Sequence, residues 1–281
     1  MANPIAKNGT HERRETYANE VLAMAKSEIN IYDDFSTDYE IDGATGQINV
    51  PTRSAEVTIS DYDVLNGVEL TQSETDYVAL PIDQNYAINE LIDGYEAEAV
   101  PDNLRANRIE AAGYSLGLKK ENMAINQLVT KGTTSGDTTA LTEADAYKKI
   151  AAEIANMKKR NMKVSSMRVV VSADTELLLL TDDKFANTSG SLGAELVREG
   201  VIGKINGVPV KPNYLLPENV EFIVYDKRFA QKYEVWSVEP TIKNIEDDKH
   251  IGASHLVGRQ VGGLMVTNAL GVQVKTNGET L

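Results

Sequence analysis

Residues Arg198–Pro217 read REGVIGKINGVPVKPNYLLP, and this stretch carries the most specific pattern in the chain. Gly200, Gly203 and Gly207 divide it into short apolar segments before a Leu-Pro pair. Asn206 and Gly207 form a dipeptide typical of tight turns, because both residue types tolerate positive φ angles. We therefore predict two short strands joined by this turn, followed by another strand in VEFIVYD.

The residues before this stretch indicate alternating helix and strand. MRVVVS is a short, largely β-branched apolar run that predicts a buried strand, and ADTELLLLTDD predicts a short helix after it. Upstream, apolar residues at helical spacing predict an amphipathic helix that ends in Lys158-Lys159-Arg160. Thr142 and Asp145 resemble a capping box at its start. The segment before it, GTTSGDTTALT, predicts a flexible polar connector.

One long helix is predicted between Pro101, which suits a first helical position, and Gly132. Its apolar residues form a continuous stripe at i, i+3, i+7 and i+14: Ile109, Ala112, Leu116 and Met123. At the other end of the chain, YEVWSVEPTIKNI and GGLMVTNALGVQVKT return to strand character.

The first third of the chain predicts a short helix over residues 11–29 and a strand-rich hairpin over residues 47–88. Asn66-Gly67 is the turn signal within the hairpin. This segment has few large apolar side chains, so its own core would be thin. We expect the hairpin to project from the body and to pack against something else, such as another copy of the chain.

Composition excludes several classes of protein. The 281 residues are 42% hydrophobic and 25% charged, as in ordinary globular proteins, with neither a membrane-length apolar run nor a secretory signal. There is no cysteine, which excludes disulfides and thiolate chemistry and fits a reducing compartment. The net charge is −14, which argues against a nucleic-acid binder. Residues 27–118 hold nineteen acidic residues, three arginines and no lysine, a local net charge of −16.

Ser115 lies in GYSLG, which matches the G-x-S-x-G pattern of serine hydrolases. That pattern requires a strand before the serine and a helix after it, whereas NRIEAA before Ser115 predicts helix. Gly113 and Gly117 share one helical face, and we expect another backbone to approach it closely. The order of residues required for a hydrolase is nevertheless available, since acids and histidines follow Ser115: Asp174, Asp226, His250 and His255.

The remaining candidates for chemistry are few. His250 and His255 lie near Asp247 and Asp248 in a loop-like stretch where a divalent ion is conceivable, although exposed loop residues are the simpler reading. His11 lies among charges on the N-terminal helix. We predict no catalytic, cofactor-binding or metal-binding residue, no cofactor and no enzymatic activity.

The order of these elements resembles the major capsid protein of tailed bacteriophages. The most specific match is a G-x-[IV]-G-x-[IV]-x-G-x-x-V pattern, formed by Gly200, Gly203, Gly207 and Val210. VVVSADTELLLLTDDKF resembles the strand and helix that precede this pattern in the family, so the match is sharpest over residues 167–217. One departure is Glu121-Asn122, where many relatives carry an aspartate in the long helix.

The resemblance implies an α+β fold in several parts. Residues 1–46 would be an N-terminal arm, and residues 47–88 an extended hairpin loop that lies over a neighbouring subunit. Residues 89–132 and 237–281 would form a peripheral domain containing the long helix as its spine. Residues 133–236 would form an α/β axial domain around the symmetry axes.

The function implied is self-assembly, through hexamers and pentamers, into an icosahedral head that encloses double-stranded DNA without sequence-specific binding. The partners implied are a portal and scaffolding or decoration proteins, with no membrane. The protein would be assembled in the host bacterial cytoplasm and would reside in the virion. Two alternatives remain at this point: an encapsulin-type nanocompartment, which shares the fold, and a hydrolase that uses Ser115.

Some members of this family join their subunits through an isopeptide bond that starts from a lysine on the extended loop. Residues 47–88 contain no lysine, and the nearest lysines in sequence are Lys26 and Lys119. We therefore expect a shell held together without covalent bonds between subunits.

Overall fold

The computed structural model describes residues 31–36, 47–53, 59–68, 75–94, 104–182, 185, 201–245, 249 and 252–278. Three α-helices lie in these ranges: α1 (Leu104–Lys131), α2 (Ala146–Lys159) and α3 (Ala173–Thr181). The early strands are β1 (Gln47–Arg53), β2 (Thr75–Pro81), β3 (Gln84–Ile92) and β4 (Thr133–Thr134). The later ones are β5 (Met167–Val171), β6 (Gly203–Ile205), β7 (Val208–Pro212), β8 (Val220–Asp226), β9 (Ala230–Asn244), β10 (Ser254–Val266) and β11 (Val272–Thr276).

A six-stranded mixed sheet has the order β4-β11-β8-β5-β7-β6. β5 runs parallel to β7 and antiparallel to β8, while β11 runs antiparallel to β8 and parallel to β4. β6 and β7 pair antiparallel across the predicted turn, where Asn206 and Gly207 have φ angles of 52° and 86°. Two consecutive positive φ angles define the turn type that matches the twist of two paired strands, which confirms the prediction for this stretch.

Each face of this sheet covers its own hydrophobic core, because successive strand residues point to opposite sides. On one face, Val169 and Val171 pack in a cluster with the apolar stripe of α2, which includes Ile150 and Ile154. On the other face, Val170 packs in a cluster with the C-terminal half of α1 and with residues 31–35. The three consecutive valines at 169–171 are all apolar because they lie between these two cores.

A second sheet has three strands in the order β3-β10-β9, and β1 pairs with β2 as a separate antiparallel hairpin. The hairpin pairing ends at Pro81, and the residues that follow form β3 in the other sheet rather than extending the hairpin to residue 88.

The described residues divide into two compact units. One contains those within Asn85–Lys120 and Val235–Val261, and the other contains the hairpin, the six-stranded sheet, α2, α3 and the end of α1. The peripheral and axial domain boundaries given above stay predictions.

The predicted long helix and the predicted strand–helix order after it are confirmed. The predicted helix over residues 11–29 lies outside the described residues. Among the helices that the structure describes, none combines the length and the apolar character needed to cross a membrane.

Candidate assembly surfaces

The loop between β1 and β2 has an ordered tip, residues 59–68, that is built around Asp63. The Asp63 carboxylate accepts the backbone N–H groups of Leu65 and Asn66 and the Asn66 side-chain amide. The Gly67 N–H closes the turn on the Asp63 carbonyl at 2.8 Å, with Gly67 at a φ of +72°. These hydrogen bonds, led by that of the Asn66 side chain, hold the pKa of Asp63 below its usual value. The predicted Asn66-Gly67 turn is therefore confirmed.

The loop tip presents apolar side chains to solvent. Ile59 is 94% exposed, Leu65 92% and Val64 85%, and Tyr62 and Val68 are also exposed. Isolated exposed leucines are normal on protein surfaces, but several large exposed apolar residues on one short turn indicate an interaction surface.

The base of the hairpin is packed, in contrast with its tip. Ile48, Val50 and Leu80 are buried in a small cluster with Met265 of β10, and Tyr233 lies against it. The prediction that the hairpin needs a partner is thus met at its base by the same chain. The tip has no such cover among the residues that the structure describes.

A buried carboxylate holds the segment at residues 31–36 against α1. Glu121 is fully buried, and its two carboxylate oxygens accept the backbone N–H groups of Ile31 at 2.9 Å and Tyr32 at 2.8 Å. Asn213, which follows β7, donates its side-chain amide to the same carboxylate at 2.6 Å. Glu121 therefore joins three separate parts of the chain, which its sequence context did not reveal.

A second buried carboxylate, Asp34, fastens the same segment to the six-stranded sheet. Its oxygens accept the Tyr225 hydroxyl at 2.7 Å and form a salt bridge with Lys227, while Arg168 Nε lies 4.0 Å away. Burial and the neighbouring Asp34 carboxylate raise the pKa of Tyr225 well above its ordinary value. Tyr225 therefore stays a neutral hydrogen-bond donor at any physiological pH.

The predicted flexible connector before α2 is ordered, and the structure corrects that prediction. β4 pairs with β11, and the ammonium group of Lys275 donates to the carbonyl oxygens of Asp137 at 2.6 Å and Thr139 at 2.7 Å. Lys275 is almost fully buried, so its charge must be satisfied inside the protein, and the connector supplies these two carbonyls while Glu221 lies 3.7 Å from the ammonium group. The Asp145 carboxylate accepts the Thr142 N–H, which is one bond of the predicted capping box.

Ser115 lies in the interior of α1, as predicted, and not on a strand-to-helix turn. Its exposed hydroxyl donates to the Ala111 carbonyl at 2.9 Å, and no histidine partners it in the described part of the chain. The proposed acids lie elsewhere. Asp174 is exposed in the first turn of α3, and Asp226 is buried under a bidentate contact from Arg228. These residues form no nucleophile–base pair.

The glycine face of α1 is open at Gly113, where an added Cβ would meet no atom within 4 Å. None of the residues that the structure describes brings its backbone close to this face at Gly113. The close approach of another backbone stays a prediction for a neighbouring copy.

Of the metal candidates, only His255 lies within the described residues, half-buried in β10. His11, Asp247, Asp248 and His250 lie outside them. In the ranges given above, no three carboxylate or imidazole side chains come together as a metal site would require.

A family model described as phage capsid protein matches residues 95–274, which is more than half of the chain. No curated protein sequence matches. Among solved structures, the fold is similar to that in Mycobacterium phage Che8, with 21% identity, full coverage of both chains and a TM-score of 0.71. The capsid of cyanophage P-SCSP1u is 13% identical, with 94% and 92% coverage and a TM-score of 0.72. The capsid of Ralstonia phage GP4 is 10% identical, with 98% coverage of each chain and a TM-score of 0.65.

These structures agree in fold over nearly the whole chain although little sequence is shared, and the family model agrees with them independently. The resemblance inferred from residues 167–217 is confirmed. The chain therefore belongs to the phage capsid protein family, and it is a structural protein of the virion: a major capsid protein with the tailed-phage capsid fold.

Proposed function

We propose that copies of this chain assemble through hexamers and pentamers into a closed icosahedral head around the double-stranded DNA of a tailed phage. The observation that carries the proposal is the loop tip, residues 59–68. It projects large apolar side chains that the rest of the described chain leaves uncovered. Burying one such side chain stabilises a contact by roughly 1.5–3 kcal/mol, and a symmetric shell repeats the gain at every subunit.

The charge distribution supports an enclosing role. A protein that binds DNA strongly neutralises phosphates with lysine and arginine, and this chain has a net charge of −14. A container with such a charge would hold DNA without adsorbing it. The proposal includes assembly in the host cytoplasm, a portal, scaffolding or decoration partners, and no enzymatic activity of the subunit.

Negative-stain electron microscopy of the purified protein, combined with the ratio of absorbance at nucleic-acid and protein wavelengths, tests this function. We expect closed shells from the chain alone and DNA-filled heads from infected cells. Small cages filled with a cargo protein would instead support the encapsulin alternative. The absence of closed particles both from the chain alone and from infected cells would overturn the proposal.

A double substitution tests the role of the loop tip. Replacing Val64 and Leu65 together with serine removes two exposed apolar side chains and leaves the Asp63 turn intact, because that turn uses only the backbone of Leu65. We expect soluble, folded subunits that assemble poorly. Ser60→Ala in the same loop is the matched control and should assemble normally.

A further inference from the structure

One end of the six-stranded sheet collects basic side chains, although the chain as a whole is acidic. β5, β7 and β11 begin at this end and β8 ends there, as their pairing directions require. α2 also ends there, because the Lys158 ammonium group donates to the carbonyl of Asn206 in the turn before β7. We call this region the basic end, and its basic residues are Lys131, Lys158, Lys159, Arg160, Lys163, Arg168, Lys227 and Arg228.

Two buried carboxylates placed among these residues are already bound, and one exposed carboxylate, Asp33, is adjacent to Asp34 in sequence. Asp226 is fully buried and is held by Arg228 at 2.6 Å, and the buried Asp34 is held by Lys227. Lys159, Arg160 and Lys163 are exposed. Within the described ranges, none of these three forms a salt bridge. The basic end therefore has positive charge available for a partner.

An exposed apolar residue lies among these cations. Leu270 is 52% exposed, and its carbonyl accepts a hydrogen bond from Arg160 at 3.2 Å. On the adjacent side, the Phe229 ring packs against Gly271, and the Arg228 guanidinium lies 5.7 Å from the centre of that ring. Leu270 thus lies beside Arg160, and the next residue, Gly271, lies against the Phe229 ring that Arg228 approaches.

We propose that the basic end receives the loop tip, residues 59–68, of a second copy of the chain. The tip carries Asp61 and Asp63, has no basic residue, and exposes Ile59, Val64 and Leu65. Acidic and apolar groups on the tip thus match basic and apolar groups on the basic end. This inference rests on the proposed assembly function and names the surface that the loop tip contacts.

DNA is the other polyanion that the basic end could attract, but it does not fit the apolar part of the surface. DNA phosphates would pair with the arginines, but they would leave Leu270 and the apolar side chains of the loop tip exposed to solvent. A second copy's tip accounts for both the charges and the apolar side chains. The occupant is therefore a protein loop, and DNA becomes an outcome of the test.

Cysteine pairing measures this contact directly, because the chain contains no cysteine of its own. Leu65→Cys and Leu270→Cys are placed on separate chains, co-assembled and oxidised. A disulfide forms only when the two Cα atoms come within about 7 Å, so a dimer on a non-reducing gel reports a contact between copies. The matched control pairs Leu65→Cys with Leu177→Cys. Leu177 is 65% exposed on α3, which follows the opposite end of β5.

We expect the Leu65–Leu270 pair to give about tenfold more mixed dimer than the control pair, as a high effective concentration at the docked site requires. Shells that show equal or greater crosslinking with Leu177 would overturn the docking and leave the proposed function intact. Failure of the unmodified chain to form any shell, either alone or in infected cells, would overturn the proposed function, and the docking with it.

Charge reversal provides a second readout without cysteine. Asp61→Arg and Arg160→Asp should each lower shell yield by about fivefold, and the two changes together should restore it, because the pair is then inverted. If Arg160→Asp instead leaves shell yield unchanged and lowers only the DNA content of particles, the basic end contacts DNA and the proposal is wrong.

Discussion

Glu121 on α1 and Asn213 after β7 are 92 residues apart in sequence, and the Asn213 amide donates to the Glu121 carboxylate at 2.6 Å in the buried interior. The same carboxylate accepts the N–H groups of Ile31 and Tyr32. One side chain thus fixes where the N-terminal segment meets the long helix and the sheet.

Replacing Glu121 with alanine should destabilise the subunit strongly. The change leaves the buried donors of Ile31, Tyr32 and Asn213 without this acceptor, at about 1–3 kcal/mol each, so we expect a loss of at least about 3 kcal/mol in the free energy of unfolding. Glu121→Gln keeps one acceptor oxygen and should lose less. Asn122→Ala changes the exposed neighbouring residue, and its free energy of unfolding should stay within about 0.5 kcal/mol of that of the unmodified chain. Urea unfolding of unassembled subunits measures all three, and equal stabilities for Glu121→Ala and Asn122→Ala would contradict the anchoring role.

Limited proteolysis should cut the unassembled subunit first in the loop between β1 and β2. Tyr62 and Leu65 are exposed there and suit chymotrypsin, and fixing a loop of this length without a partner costs roughly 1–2 kcal/mol per residue in backbone entropy. Assembled shells should protect the same bonds. Tyr225, which is fully buried, is the internal reference and should resist cleavage in both states. Loop cleavage at the same rate in subunits and shells would count against a contact at the tip.

Assembly should respond strongly to ionic strength. Residues 27–118 carry a net charge of −16, and the basic end of a neighbour faces only Asp61 and Asp63 of the loop tip, so the remaining acidic residues of neighbouring copies repel each other. At about 1 M salt the Debye length falls to about 3 Å, which screens the repulsion. We expect free subunits at low salt and shells at high salt in sedimentation velocity runs. As a control, two different salts at the same ionic strength should give the same fraction of protein in shells. A shell fraction that stays constant from low to high salt would refute the electrostatic account.

Acid should remove a stabilising contribution from Asp137. The hydroxyl and backbone N–H of Thr139, together with Lys149, hold the pKa of Asp137 well below its ordinary 3.8. Because the folded pKa is depressed, this stability is fully present above the unfolded pKa and is lost as the pH falls through the folded value. Asp137→Asn should therefore be less stable than the unmodified chain at neutral pH. The free energies of unfolding of the variant and the unmodified chain should approach each other at about pH 2.

Urea unfolding at both pH values measures this difference. Asp61→Asn removes an exposed tip carboxylate and serves as the control, with no loss of stability expected at either pH. A gap between Asp137→Asn and the unmodified chain that widens on acidification would contradict the assignment.

Mature particles boiled in detergent should run as one band at the chain mass of 30.7 kDa. An isopeptide bond needs an amine on the loop, and the loop has no lysine, while the absence of cysteine excludes disulfides. Unmodified particles treated with a lysine-reactive crosslinker are the positive control and should give a ladder of multimers on the same gel. A ladder of multimers from unmodified particles would show that another residue supplies the bond.

Most elements of the fold were predictable because their signals are local. The Asn206-Gly207 turn, the stripe of α1 and the apolar run of β5 each follow from the spacing of neighbouring residues. The pairing of β4 with β11 was not predictable, since the connector looks polar and its order comes from Lys275, which is distant in sequence.

The candidate surface was predictable only in part. The thin apolar content of residues 47–88 correctly indicated that something must cover the hairpin, but not that Met265 covers its base. Glu121 stood out in the sequence only as a departure from relatives, and nothing local showed that it is a buried acceptor for three donors. The basic end is assembled from the ends of separate strands, so no window of sequence contains it.

The position of β11 inside the six-stranded sheet has a consequence for synthesis. β11 lies between β4 and β8, and it comes after all the other strands of that sheet along the chain. While the ribosome is still translating the earlier strands, β4 has no partner in the sheet and β8 has one open edge. A nascent chain therefore cannot complete this core until residue 276 has left the exit tunnel. The six-stranded core therefore closes only after its last strand, β11, has been made, and chains cut short before β11 are left with an open core that proteases can recognise.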